Sequence, residues 1–233
     1  MLKNIGKYIF MIELGFKYIQ IFKKTFFHPF ITLQQAYEQL SADRQAYAVK
    51  VLKFLNIKVN VIGELPKEDK MLYVINHRSL LDIIIMEELF SHTKKNGTWI
   101  AKQELFDSKI YGKFFEYSGC ISVDLDNKRG LLTFFKTIKK VFAKVDNMNL
   151  FMFPEGERFS GDGITDFQSG AAKIAKANKL QVVPIIIEGK NEIVFKNAPY
   201  KKEYIVTVHI GEIVSHENIE KEYQTFYHNS IKA

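Results

Sequence analysis

The chain has 233 residues, 47% of them apolar, with 33 Lys and Arg against 26 Asp and Glu for a formal net charge of +7. That length and composition support one sizeable folded domain and exclude a disordered or low-complexity chain. The charge suits a polyanion, an anionic membrane surface or a phosphorylated small molecule, and it serves solubility equally well. A nucleic-acid binder is suggested by charge alone, without a basic-aromatic module to carry it.

Residues 1–30 form an arm rich in Phe, Tyr, Ile and Lys. A membrane-spanning helix needs ~20 consecutive apolar residues, and Lys3, Lys7, Glu13, Lys17, Lys23 and Lys24 interrupt every window. The short apolar run 8–12, with no small-residue cleavage site after it, does not read as a secretory signal. Wound as a helix, the arm gathers Lys3, Lys7, Glu13, Lys17, Gln20 and Lys24 on one side. Ile5, Tyr8, Ile9, Ile12, Phe16, Ile19 and Phe26 fall on the other. This pattern fits a helix lying in a membrane interface, or one packed on its own domain. A second helix is predicted over 33–55, with His28-Pro29 as the break of a two-helix hairpin.

From residue 71 short apolar runs alternate with helical patterns. Strands are predicted at 71–75, 98–101, 120–123, 150–153, 182–187 and 204–210, and helices at 80–90, 108–117, 131–145 and 170–177. The single cysteine, Cys120, excludes an intramolecular disulfide and reads as buried and structural. The alternation predicts an α/β domain with a mostly parallel central sheet flanked by helices, over residues 61–233, after an amphipathic helical region at 1–60. Chemistry then belongs at the carboxyl ends of the strands.

Two blocks occupy that position. The first runs Asn76-His77-Arg78-Ser79-Leu80-Leu81-Asp82. Ser79 and Asp82 read as a capping box, which would place Asp82 in the first helical turn with His77 just upstream. A carboxylate on one imidazole nitrogen fixes the tautomer and leaves the other nitrogen as a base; a plain cap beside a loop histidine is the alternative. The second block runs Phe153-Pro154-Glu155-Gly156-Glu157-Arg158. Pro154 turns the chain, Gly156 permits an unusual backbone angle, Arg158 can grip phosphate, and Glu155 can orient that arginine or bind a substrate hydroxyl. A surface turn with a local Glu–Arg pair is the alternative. Only four arginines exist, Arg44, Arg78, Arg129 and Arg158, and two of them lie in these blocks. No Gly-x-Ser-x-Gly elbow and no metal-ligand spacing is present, which favours direct attack by a substrate hydroxyl.

In this order the residues resemble the glycerolipid acyltransferase family, typified by bacterial lysophosphatidic acid acyltransferases. Asn76, His77 and Asp82 match its Asn-His-x4-Asp motif, and Phe153, Pro154, Glu155, Gly156 and Arg158 match Phe-Pro-Glu-Gly-Thr-Arg-Ser. Val183-Pro184-Ile185, the segment from Ala101 to Phe106, and Phe167 with Gly170-Ala171 match further segments, so the similarity covers about residues 70–190. The resemblance implies transfer of a fatty acyl group from acyl carrier protein or coenzyme A to the hydroxyl of lysophosphatidic acid, without a metal or bound cofactor. It implies His77 as base, Asp82 as its orienter, and Asn76, Arg78, Lys102, Glu155, Gly156 and Arg158 as substrate-binding residues. It also implies an N-terminal membrane-binding two-helix motif and a peripheral place on the cytoplasmic face of a bacterial inner membrane.

Three positions depart from the family pattern. Leu125 stands where its second motif has an arginine, and Glu157 and Phe159 replace Thr and Ser of the third. Lys128 or Arg129 is a candidate to fill the gap left by Leu125. The departures open a rival acceptor, another lysophospholipid or a lyso-ornithine lipid. A different rival is a non-catalytic membrane-binding relative, against which the intact His77 and Asp82 argue.

Overall fold

A computed structural model describes residues 2–124, 127–161 and 163–231. Seven strands form one sheet: β1 (Ile57–Ile62), β2 (Met71–Ile75), β3 (Gly97–Lys102), β4 (Ile121–Val123), β5 (Asn149–Met152), β6 (Gln181–Ile187) and β7 (Tyr204–Ile210). Their order is β1-β7-β6-β2-β5-β3-β4. The five strands β6-β2-β5-β3-β4 run parallel. β7 pairs antiparallel to β6, and β1 runs parallel to β7, so this edge is reversed. β2 is an uninterrupted apolar run at the centre of the sheet and is buried throughout, as a strand covered on both faces requires.

The helices cover both faces. On one side lie α2 (Leu33–Leu55), α3 (Leu80–Thr93) and α8 (Asn191–Asn197), packing Leu52, Ile85, Phe90 and Val194 onto Tyr73, Ile75 and Phe151. On the other lie α6 (Lys128–Phe142), α7 (Gly170–Asn178) and α9 (Ile219–Ile231), packing Ile138, Ile174 and Tyr223 onto Leu72 and Val74. Two short helices, α4 (Gln103–Phe106) and α5 (Gly112–Tyr117), lead from β3 towards β4. The alternation along β2, Met71, Tyr73 and Ile75 against Leu72 and Val74, feeds the two cores from one strand.

The expected α/β architecture with a mostly parallel sheet is what forms. Strand β1 and helices α4, α8 and α9 were not anticipated. Ile57, Val59 and Val61 alternate with Lys58 and Asn60, a period-two signal that follows directly on the helix ending at Leu55. The division expected at residue 60 therefore falls inside a strand of the sheet. The strand expected at 120–123 starts at Ile121, and the helix expected at 108–117 starts at Gly112.

The arm is α1 (Leu2–Phe26), which turns back into α2. Phe10 stacks on Phe54 and Tyr18 meets Tyr47 edge-on, so the two helices run antiparallel. Thr32 and Gln35 form a capping box that starts α2. α1 seats Tyr18 and Phe22 against Leu40 of α2 and Phe114 of α5. Ile5, Tyr8, Ile9, Ile12 and Phe16 stay exposed along its outer side. Lys7, expected on the basic side, is instead buried, and its Nζ donates to the Phe195 and Lys196 carbonyls. Among the described residues, no helix is long and apolar enough to cross a membrane.

A buried polar tie fastens this hairpin to the domain. Arg44 of α2 donates from Nε to Glu87 Oε1 of α3 at 2.7 Å, and Trp99 Nε1 of β3 donates to the same oxygen at 2.8 Å. Arg44 also reaches the Ser118 and Gly97 carbonyls.

Candidate active site

The end of β2 and the start of α3 build the first wall. Ser79 caps α3 with extended backbone, its Oγ accepting from Leu81 N at 3.1 Å. Asp82, three residues on, returns the capping box and does more. Its Oδ2 accepts from Ser79 N at 2.7 Å, from Arg78 N at 2.6 Å, and from His77 Nδ1 at 2.9 Å. A carboxylate only accepts, so Nδ1 carries a proton, and in the neutral ring the lone pair is then on Nε2. The cap and the contact with His77 thus coexist: the cap is what brings the carboxylate to the ring.

The His77 ring lies flat on Phe153, with centroids 3.8 Å apart and planes 10° from parallel. Phe153 is in turn stacked against Trp99 at 5.1 Å. Only 12% of the His77 side chain reaches solvent. Asp82 Oδ1 accepts from Asn191 Nδ2 of α8 at 2.9 Å, and both residues are fully buried.

The loop after β5 builds the second wall. Glu155 is buried, and its Oε1 accepts from His77 N at 2.7 Å while Oε2 accepts from Thr165 N at 3.2 Å. It therefore joins the two blocks through backbone rather than orienting an arginine. Burial holds its carboxyl above the usual carboxylate range, against the two N–H bonds. Gly156 has φ +76°, a left-handed angle, and a Cβ there would lie 3.0 Å from Gln168.

Arg78 points away from solvent. Its guanidinium donates to the carbonyls of Phe159, Gly161 and Gly163, and Phe159 N returns a bond to the His77 carbonyl at 2.9 Å. It clamps the loop that follows the second block. Asn76 likewise holds backbone, bonding Ile187 in both directions at 3.0 and 2.8 Å. In this arrangement Asn76, Arg78 and Glu155 frame the site.

Three of the expected cations lie on the β5-β3-β4 side. Arg158 is exposed in the loop after β5, Lys102 is exposed at the carboxyl end of β3, and Arg129 is exposed in the first turn of α6. The side chain of Lys128 and residue Leu125 lie outside the described residues. Glu157 is exposed. Cys120 sits 3.3 Å from Ser118 Oγ, and desolvation pushes its thiol up, which suits a structural role.

Phe153 and Asn191 were not read from the sequence as site residues. Phe153 closes the apolar run of its block and looks like one more core residue. Asn191 lies 109 positions from Asp82 in an unremarked helix, and no spacing announces it. Among the described residues, no group of His, Cys, Asp and Glu is arranged to hold a metal ion.

An α/β sheet with a histidine–carboxylate pair at its carboxyl edge offers a place for a base to meet a substrate. Residues 56–188 match the acyltransferase family, and the chain belongs to that family as an acyltransferase enzyme. It is 30% identical over 188 residues to the 1-acyl-sn-glycerol-3-phosphate acyltransferase of Helicobacter pylori, covering 74% of this chain and 76% of that one. It is 32% identical over 127 residues to the protein of the same name from Streptococcus pneumoniae, covering 54% of this chain and 45% of that one. The chain thus spans about three quarters of the first relative and under half of the second. The crystal structure of the 1-acyl-sn-glycerophosphate (LPA) acyltransferase PlsC from Thermotoga maritima superposes with a TM-score of 0.71. It shares 20% identity with this chain, covers 99% of it and 95% of its own length, and shares the fold.

Proposed function

We propose that the chain transfers a fatty acyl group from acyl carrier protein or coenzyme A to the free hydroxyl of lysophosphatidic acid, forming phosphatidic acid for phospholipid synthesis. The observation that carries this reading is the 2.9 Å contact between His77 Nδ1 and an Asp82 carboxylate already held by two backbone N–H groups. The free Nε2 takes the acceptor's proton as its oxygen attacks the thioester carbonyl. Asp82 stabilises the imidazolium that forms. The tetrahedral intermediate then collapses, the carbon–sulfur bond breaks, and His77 returns the proton to the leaving thiolate. Acceptor and thioester exchange one acyl group for one proton, so no acyl-enzyme and no metal is required.

Lysophosphatidic acid is favoured by the names of the relatives and by Lys102, Arg129 and Arg158, exposed at the end of β3, in the first turn of α6 and in the loop after β5. A cationic flank of this kind suits an anionic headgroup. The exposed stripe Ile5, Tyr8, Ile9, Ile12 and Phe16 on α1 supports peripheral attachment to the bilayer holding the acceptor. On this reading that bilayer is the bacterial inner membrane, approached from its cytoplasmic face. Leu125 favours a second acceptor reading, another lysophospholipid or a lyso-ornithine lipid, because it removes a phosphate ligand of the family pattern.

Purified protein assayed against a lysolipid panel, with acyl-carrier-protein and coenzyme A thioesters as donors, separates the two acceptors. Phosphatidic acid as dominant product is expected. Dominant turnover of an acceptor lacking phosphate overturns the assignment.

A further inference from the structure

Asn191 opens α8 and its side chain is fully buried. Nδ2 donates to Asp82 Oδ1, and this is the hydrogen bond that oxygen receives among the described residues. The other end of the amide, Oδ1, has no partner among the described residues. A buried acceptor without a partner carries a desolvation penalty, and an apolar side chain of similar size would fill the place without it. What the amide adds is one bond, delivered to the carboxylate that orients His77.

The opposite end of α8 is held just as specifically. Lys7 of α1 is buried and donates from Nζ to Phe195 O at 2.7 Å and Lys196 O at 3.3 Å, with the Phe195 ring centroid 4.8 Å away. Carbonyls in the last turn of a helix have no partner within it, and a cation there also complements the helix dipole. α8 has seven residues, so it spans roughly 10 Å at 1.5 Å per residue. About two stiff turns therefore join the arm to the dyad.

We propose that Asn191 is a positioning residue for acyl transfer, and that α8 is the strut through which the seating of α1 by Lys7 reaches the Asp82–His77 pair. The inference rests on the reading of His77 as the base. Asp82 Oδ2 is fixed by Arg78 N and Ser79 N, and Asn191 fixes the second oxygen. Together they set the plane of the carboxylate and with it the plane of the imidazole. Lys7 limits where α8, and so Asn191, can sit.

Steady-state kinetics on lysophosphatidic acid vesicles with an acyl thioester donor test this. The variants are Asn191→Leu, Asn191→Asp, Lys7→Met, and Lys7→Met combined with Asn191→Leu, with His77→Ala alongside. Asn191→Leu should lower kcat by about tenfold or more while both KM values stay within about twofold. Asn191→Asp keeps the shape and loses the donor. Its activity relative to the parent should rise as pH falls, because the introduced carboxyl donates to Asp82 only when protonated. Lys7→Met should lower kcat by a smaller factor and add nothing in the Asn191→Leu background. Unchanged kcat in Asn191→Leu, or a loss carried by KM, overturns the role of Asn191. A Lys7→Met effect that adds fully to Asn191→Leu overturns the strut. If Asn191→Leu does not fold, the pH-dependent ratio for Asn191→Asp decides, and a flat ratio is the overturning result. Parental activity in His77→Ala sinks the base reading itself. An inactive His77→Ala beside a normal Asn191→Leu sinks the present inference alone.

Discussion

Glu155 shows how one buried carboxylate can tie a site together through backbone. Its two oxygens receive His77 N and Thr165 N, so it fixes the peptide that carries the base. Burial still dominates and raises its pKa from the ordinary 4.5. Between that value and the raised one, the native state binds more protons than the unfolded chain, so the contribution of this group to stability falls as pH rises through the window. Glu155→Gln removes the titration and loses one acceptor. Urea unfolding at a series of pH values should show the variant gaining on the parent as pH rises from about 4.5 through that window. A constant difference across the series contradicts the assignment.

At the scale of the element, α1 presents one packed side and one exposed side. Tyr18 and Phe22 seat it on α2 and α5, while Ile9, Ile12 and Phe16 remain outside. Burying such side chains in the acyl boundary is worth about 1.5–3 kcal/mol each. Replacing Ile9, Ile12 and Phe16 together by Ser should abolish flotation with anionic vesicles and leave the melting temperature within a few degrees. Flotation equal to the parent contradicts membrane attachment through this face. The exposed stripe was legible in the sequence, because 3.6-residue periodicity marks a face whether or not anything covers it. The burial of Lys7 was not, because its partners are backbone carbonyls nearly 190 positions away and no side-chain pattern encodes them. The same reason hid the inward turn of Arg78, whose acceptors are also carbonyls, while Asn191 was hidden by the 109 positions between it and the Asp82 carboxylate. The capping box was legible because it is local, and it carried Asp82 to His77 as read.

At the scale of the molecule, the parallel sheet puts the ends of β2, β5, β3 and β4 side by side, and loop and helix ends do the rest. Strand periodicity predicted that core, whereas the reversed edge β7-β1 depended on a strand shadowed by the preceding helix. The helical hairpin is fastened to the sheet by the buried Arg44–Glu87 pair, whose oxygen also holds Trp99, which stacks on Phe153 beneath His77. Breaking a buried pair by removing one partner strands a charge and costs about 3–5 kcal/mol. Arg44→Ala should lower unfolding stability by about that amount in urea titrations. A loss under about 1 kcal/mol, the worth of an exposed pair, contradicts the role assigned to the tie. The proposed acyl transfer turns on His77. The most direct measurement is the turnover of lysophosphatidic acid to phosphatidic acid by the parent and by His77→Ala, both shown to be folded. Loss of kcat by about 10²- to 10⁴-fold is the predicted result for a general base; turnover equal to the parent would contradict the mechanism.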